Sequence, residues 1–188
     1  RILFFARKFL SAPYVGGTLD KAKEEHLVIN TRQLDCTTFV ENVLALALCS
    51  KRGEYSFHDF CVQLQKIRYR GGTVAYTERL HYFSDWMEDN SKMGFVRVIE
   101  SKAHPFNAIQ HVSINYMSKH PSAYAMLSAH PQWMPGIIKT EKRLTGRKYR
   151  YIPKNAIDNS RRLRETIHDG DIIAILTSKP GLDTSHIG

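Results

Sequence analysis

Residues 36–48 carry Phe39, Val40, Val43, Leu44, Leu46, Ala47 and Leu48 on nearly every side, a pattern that predicts a helix buried over most of its surface. Asp35, just before it, can cap the first turn, which puts Cys36 at the helix start. Ser56-Phe57-His58-Asp59 has the form of a capping box and opens a second helix that runs to about residue 70, where Gly71-Gly72 ends it. Leu80, Phe83, Trp86 and Met87 at helical spacing predict a third helix over residues 79–90, and Ile2, Leu3, Phe5, Ala6, Phe9 and Leu10 predict one at the amino end. The texture then changes. Phe95-Val96-Arg97-Val98-Ile99 alternates as a strand, and Pro105, Pro121, Pro131, Pro135 and Gly136 cut the middle third into short pieces. Tyr149-Arg150-Tyr151-Ile152 reads as a strand stopped by Pro153, residues 171–176 form an apolar strand, and His186 opens the next one after a loop with Pro180-Gly181. Helices first and antiparallel strands later make an α+β fold, in one domain over residues 1–188.

Composition sets outer bounds. With 188 residues, 43% apolar and 24% charged, the chain can bury one sizeable core, and no apolar run of about 18 residues is present to span a membrane. The sequence opens directly on a helix-like pattern with no secretory-signal pattern in it, as a mature chain would, and this leaves the compartment open. Three cysteines, Cys36, Cys49 and Cys61, have neither metal-type spacing nor the density of a disulfide scaffold. Cys49 and Cys61 read as space-filling. The net charge of +9 is concentrated in residues 139–164, where ten Lys/Arg face Glu141 and Asp158. Such a stretch favours anionic partners without choosing one, and a solvated basic face explains it equally well.

The informative residue is Cys36. A cysteine in a buried helix is more often packing than catalysis, but Asp35 and Thr37-Thr38 keep this helix start polar. Unpaired N–H groups and the helix dipole there favour a thiolate open to substrate. Acyl transfer then needs an imidazole to hold the thiolate and protonate the leaving amine. Nine histidines compete for that role. His186 is placed first by its position on a strand facing the helix. His81 comes second, within the cluster Arg79-Leu80-His81-Tyr82-Phe83-Ser84-Asp85-Trp86, which reads as pocket lining on two helical turns and whose plain alternative is an ordinary core helix. His168, in the turn His-Asp-Gly-Asp, reads as structural. Ser11-Ala12-Pro13-Tyr14-Val15-Gly16-Gly17-Thr18-Leu19 is a turn in which small residues and a tyrosine can approach a ligand, and its nearness to Cys36 favours a shared cleft.

Pro13-Tyr14 with Gly16-Gly17, Asp35-Cys36-Thr37-Thr38-Phe39-Val40, Gly170-Asp171-Ile172-Ile173 and Ser185-His186-Ile187-Gly188 occur in an order that resembles the NlpC-type cell-wall cysteine hydrolases of the papain-like superfamily. Thr37-Thr38 in place of Ser-Gly, together with the Tyr14–Leu19 turn and the Arg79–Trp86 cluster, resembles the N-acetylmuramoyl-L-alanine amidase-like subgroup. The resemblance implies a catalytic helix packed on a carboxy-terminal antiparallel sheet, and a Cys36–His186 pair with Asp35 as support. It implies an oxyanion site from the Cys36 N–H and Tyr14, and no cofactor or metal. It further implies that Thr18, Arg79, His81, Tyr82, Asp85, Trp86 and Ser185 bind a peptidoglycan or muropeptide substrate. A third polar residue orienting the imidazole would lie on a strand beyond Gly188, so the domain is expected to lack its last strands.

The expected activity is hydrolysis of the N-acetylmuramoyl-L-alanine amide through a thioester, by a monomer in the bacterial envelope, in the periplasm. A stem-peptide endopeptidase cutting a D-glutamyl bond would use the same residues. A basic module binding nucleic acid or anionic glycan through residues 139–164 is the rival of another class, though no nucleic-acid motif is present, and nucleic acid is not the expected partner.

Overall fold

The computed structural model describes residues 1–100, 105–158 and 160–188. In chain order the elements are α1 (Ile2–Lys8), α2 (Cys36–Arg52), α3 (Phe57–Arg68), α4 (Phe83–Lys92), β1 (Ala108–His111), α5 (Tyr116–Lys119) and α6 (Ala125–Ala129). They continue with α7 (Met134–Leu144), β2 (Lys148–Tyr151), α8 (Arg161–Thr166), β3 (Ala174–Leu176) and β4 (Thr184–Ile187). The strands pair antiparallel as two small sheets, β1 with β2 and β3 with β4, and reciprocal bonds between Ile173 and Gly188 (2.7 and 2.9 Å) extend the second.

The amino-terminal half follows its local signals. Asp35 accepts from Thr38 N (2.8 Å) while Thr38 Oγ1 accepts from Asp35 N (2.9 Å), a reciprocal cap that fixes the start of α2 at Cys36. Ser56 and Asp59 do the same for α3. That helix stops at Arg68, and Gly71 and Gly72 then turn with φ of 56° and 75°, a region that favours glycine.

Two apolar cores result. The first joins Val40, Leu44 and Leu48 of α2 with Phe60, Leu64 and Ile67 of α3, Trp86 of α4 and Ile187 of β4. The second joins Tyr76, Tyr82, Val112, Ile114, Met117, Met126, Leu127, Ile137 and Leu144. Buried Arg68–Glu41 (2.7 Å) pins α3 to α2. Gly181, with φ of 84°, seats the β3–β4 loop on α5: its carbonyl accepts from Asn115 N (3.2 Å) and Tyr116 N (3.1 Å), and a Cβ there would lie 2.6 Å from Asn115 Oδ1.

Three expectations need correction. The helix expected from residue 79 begins at Phe83, because Arg79 bridges to Tyr69 and Leu80 N bonds the Arg68 carbonyl (3.0 Å), holding residues 79–82 outside the helix against the end of α3. Residues 95–99 form no strand: Phe95 N turns back to Asn90 O (2.9 Å), and among the described residues Val98 and Ile99 have no partner strand. The carboxy-terminal half is not purely β, since α5 to α8 lie within it. Among the described residues no helix is long and apolar enough to cross a membrane.

Candidate active site

Cys36 opens onto a cavity of about 170 Å³ lined also by Thr37, His81, Tyr82, Trp86, Asp183, Ser185 and His186. The cavity lies at the seam of the two cores, with Trp86 and Ile187 from the first and Tyr82 from the second in its wall. Helix α2 supplies the thiol at its capped start, partly exposed, and Thr37 Oγ1 lies 3.9 Å from Cys36 Sγ. Strand β4 supplies Ser185 and His186, both exposed, and Ser185 Oγ donates to the Ile175 carbonyl (3.2 Å).

The Pro13-Tyr14 turn closes one side. Val15 N donates to the Leu34 carbonyl (2.9 Å) and Leu34 N to the Pro13 carbonyl (3.3 Å), which ties the turn two residues ahead of Cys36. The Tyr14 ring then lies 6.5 Å, centroid to centroid, from that of His186. Burial, and next the neighbouring Cys36 thiol, raise the Tyr14 phenol above its ordinary pKa, so the hydroxyl keeps its proton. The thiol, phenol and imidazole expected from the sequence are thus brought to one place. Among the described residues no hydrogen bond joins Cys36 to His186, a pairing that in unliganded enzymes often tightens only with substrate.

His81 borders the same cavity in a different state. Its Nε2 lies 2.8 Å from the Tyr76 carbonyl oxygen, and a carbonyl only accepts, so Nε2 carries the proton. Burial and the nearby Arg79 guanidinium lower its pKa to about 3, leaving a neutral ring with a lone pair on Nδ1.

The remaining expected site residues divide. Tyr82 and Trp86 line the cavity with their rings. The Tyr82 hydroxyl is engaged elsewhere, donating to Glu141 (2.7 Å) and accepting from Met117 N (3.0 Å). Asp85 does not line the cavity; it is fully buried and held by Arg70 (2.9 Å at Nη1) and Arg143. Arg79 is likewise structural, paired with Asp20 (2.6 Å) and Glu25 (3.4 Å). Thr18 is buried and lines a separate hollow with Lys21, His26 and Asn30. The cause is common to Arg79 and Asp85: residues 79–82 lie outside the helix and α4 begins after them, so the octapeptide does not share one helical face.

Asp183 carries no local signal for its role. Its Oδ2 accepts from Ser84 N (2.7 Å) and its Oδ1 from Thr184 N (2.8 Å), so it caps α4, which has no side-chain cap of its own, from 99 residues away. This contact locks β4, with His186, to the helix that supplies Trp86. Cys49 and Cys61 are free thiols within α2 and α3, and burial raises the pKa of Cys49. In the basic stretch, Arg143 and Arg147 are taken up by Asp85 and Glu88. Among the described residues no group of three or more His, Cys, Asp or Glu is placed to hold a metal ion.

No curated protein matches the chain significantly. Among solved structures, an N-acetylmuramoyl-L-alanine amidase from Bacteroides uniformis is 40% identical, with a TM-score of 0.89 over 100% of this chain and 77% of that one. A Bacteroides fragilis protein provisionally named a xylanase is also 40% identical, with a TM-score of 0.89 over 99% of this chain and 80% of that one. A Legionella pneumophila protein, 22% identical with a TM-score of 0.72 over 100% of this chain and 72% of that one, shares the fold. The profile of the AmiA-like family, described as N-acetylmuramoyl-L-alanine amidase-like, matches residues 4–188. The chain therefore belongs to the AmiA-like, N-acetylmuramoyl-L-alanine amidase-like family.

Proposed function

We propose that the protein is a cysteine amidase of the NlpC, papain-like type that cleaves the amide between the lactyl group of N-acetylmuramic acid and L-alanine. The observation that carries this reading is the meeting of Cys36 and His186 on one cavity, with Tyr14 beside them. Cys36 Sγ adds to the lactyl carbonyl carbon, and the oxyanion is held by the Cys36 N–H at the start of α2 and the protonated Tyr14 hydroxyl. The C–N bond then breaks, and the His186 imidazolium gives its proton to the departing alanine nitrogen, leaving a thioester. Water, deprotonated by His186, cleaves the C–S bond and releases a lactyl carboxylate and the free thiol.

His186, not His81, is the acid–base group. His81 already donates its Nε2 proton to a carbonyl and resists a second proton, whereas the His186 ring is exposed and uncommitted among the described residues. The substrate class follows the family, and peptidoglycan would place the protein in the bacterial envelope, with the periplasm as its compartment.

A glycosidase, the reaction implied by the name xylanase, needs a pair of carboxyl groups flanking the bond. Among the described residues lining the cavity Asp183 is the only acid, and both its oxygens already accept backbone N–H groups. Mass analysis of a muropeptide digest tests the proposal. A sugar bearing a free lactyl carboxylate and an intact peptide support the amidase. A dipeptide left on the sugar would identify the D-glutamyl endopeptidase instead.

A further inference from the structure

Two imidazoles border the cavity, and the reaction as derived uses only His186. The other is held with unusual firmness. The His81 main chain is fixed by His81 N to the Arg79 carbonyl (2.9 Å) and by Leu80 N to the Arg68 carbonyl (3.0 Å). Its ring is fixed by the Nε2–H bond to the Tyr76 carbonyl (2.8 Å) and by the Tyr76 ring, 4.6 Å away between centroids. A ring flip would put the Cε1 carbon against the carbonyl and lose this bond, and the other tautomer would face the carbonyl with a bare nitrogen, so Nε2–H is the retained tautomer and Nδ1 the lone-pair nitrogen. Nδ1 has no partner among the described residues.

The cavity's other polar groups differ from it. Asp183 has both carboxylate oxygens engaged, the Tyr82 hydroxyl is engaged by Glu141 and Met117, and Thr37, Thr184 and Ser185 bear hydroxyls that can donate or accept. His81 Nδ1 can only accept. From that geometry we propose that His81 is a specificity residue whose Nδ1 accepts a hydrogen bond from a secondary-amide N–H of the substrate. The inference rests on the amidase reading, since a muramoyl dipeptide carries three such groups near the reacting carbon: the N–H of the scissile amide, that of the alanyl–isoglutamine bond and that of the sugar's 2-acetamido group. An ester or a tertiary amide at the recognised position leaves the acceptor unpaired, and that loss makes the site selective.

The test uses Cys36→Ala protein labelled with 15N-histidine and N-acetylmuramoyl-L-alanyl-D-isoglutamine as the probe. The unliganded protein should show His81 protonated at Nε2 and bare at Nδ1, and binding should shift the Nδ1 resonance as it accepts a hydrogen bond. Three analogues separate the donors, one N-methylated at the alanine amide, one N-methylated at the alanyl–isoglutamine bond and one with the 2-acetamido replaced by acetoxy. The analogue that removes the recognised N–H should leave Nδ1 unshifted, and should lose about ten- to a hundredfold in affinity. With Cys36 intact, His81→Gln, which retains a donor for Tyr76, should lower kcat/KM by a similar factor. A protonated Nδ1 in the free protein, or a bound probe that leaves Nδ1 unmoved, overturns the role of His81 while leaving the amidase reading intact. Failure of the unmutated protein to cleave the probe overturns both.

Discussion

At the scale of single residues, the site assigns unlike jobs to like side chains. Cys36 and Cys49 lie on the same helix, yet the first borders a cavity at the capped end and the second is packed in the core. Cys36→Ala should therefore lower turnover by at least a thousandfold while leaving the denaturation midpoint nearly unchanged, which stopped assays and denaturant titrations would measure. Tyr14→Phe removes one oxyanion donor, and kcat should fall by roughly ten- to a thousandfold. An undiminished kcat would remove Tyr14 from the mechanism.

His81 gives a pH signature of its own. Its native pKa of about 3 lies below the ordinary 6.5, so between those values the unfolded chain binds a proton that the native chain refuses. The stability held in its neutral state is fully present above about 6.5 and is lost as pH falls toward 3, at no more than about 1.4 kcal/mol per pH unit. Denaturant titrations at pH 7 and pH 5 should show a smaller acid loss for His81→Gln than for the unmutated protein. Equal losses would mean that this imidazole is not held neutral against Arg79 and Tyr76.

Elements, taken as units, explain why part of the site could be read from the chain and part could not. The start of α2 depends on Asp35 and Thr38, three residues apart, and the capping pattern was visible for that reason. The start of α4 depends on Asp183, and nothing near Tyr82 announces a cap supplied by another strand. Helical spacing of Leu80, Phe83 and Trp86 was real, but the bridge from Arg79 to Tyr69 overrode it at the amino end. That is how Asp85 came to be expected in the pocket while the fold uses it to hold Arg70 and Arg143.

Two substitutions separate these roles. Asp183→Ala should destabilise the protein by about 1–2 kcal/mol through loss of the α4 cap, and Asp183→Asn by less, since an amide oxygen still accepts. Asp85→Ala leaves two arginines without their buried partner. Because those arginines are partly exposed, the expected cost is roughly 2–3 kcal/mol, below the range for a fully buried pair. Its kcat at a temperature where it stays folded should match that of the unmutated protein, and a selective loss of kcat would return Asp85 to the active site.

For the molecule as a whole, the cavity exists because two cores meet. Helix α2 and strand β4, packed together in the first core, bring Cys36 and His186, 150 residues apart in sequence, to a common wall, and Tyr82 of the second core adds to it. About 170 Å³ is less than the roughly 300–1,000 Å³ usual for a small-molecule site, so under the proposed function the hollow would engage only the bond being cut and its immediate neighbours. The order of motifs along the chain made this meeting legible, whereas the two-core packing, the separation of Thr18 into its own hollow and the neutral state of His81 arise from long-range contacts. Part of the positive charge in the carboxy-terminal half likewise serves the fold, with Arg143 and Arg147 bound to acids of α4.

The central claim is that the Cys36 sulfur opens the muramoyl–alanine amide, and mass spectrometry of N-acetylmuramoyl peptides treated with unmutated and Cys36→Ala protein tests it most directly. The account predicts a free lactyl sugar and an intact peptide from the unmutated protein and neither product from the variant. Undiminished cleavage by the variant, or a peptide remnant still attached to the sugar, would contradict it.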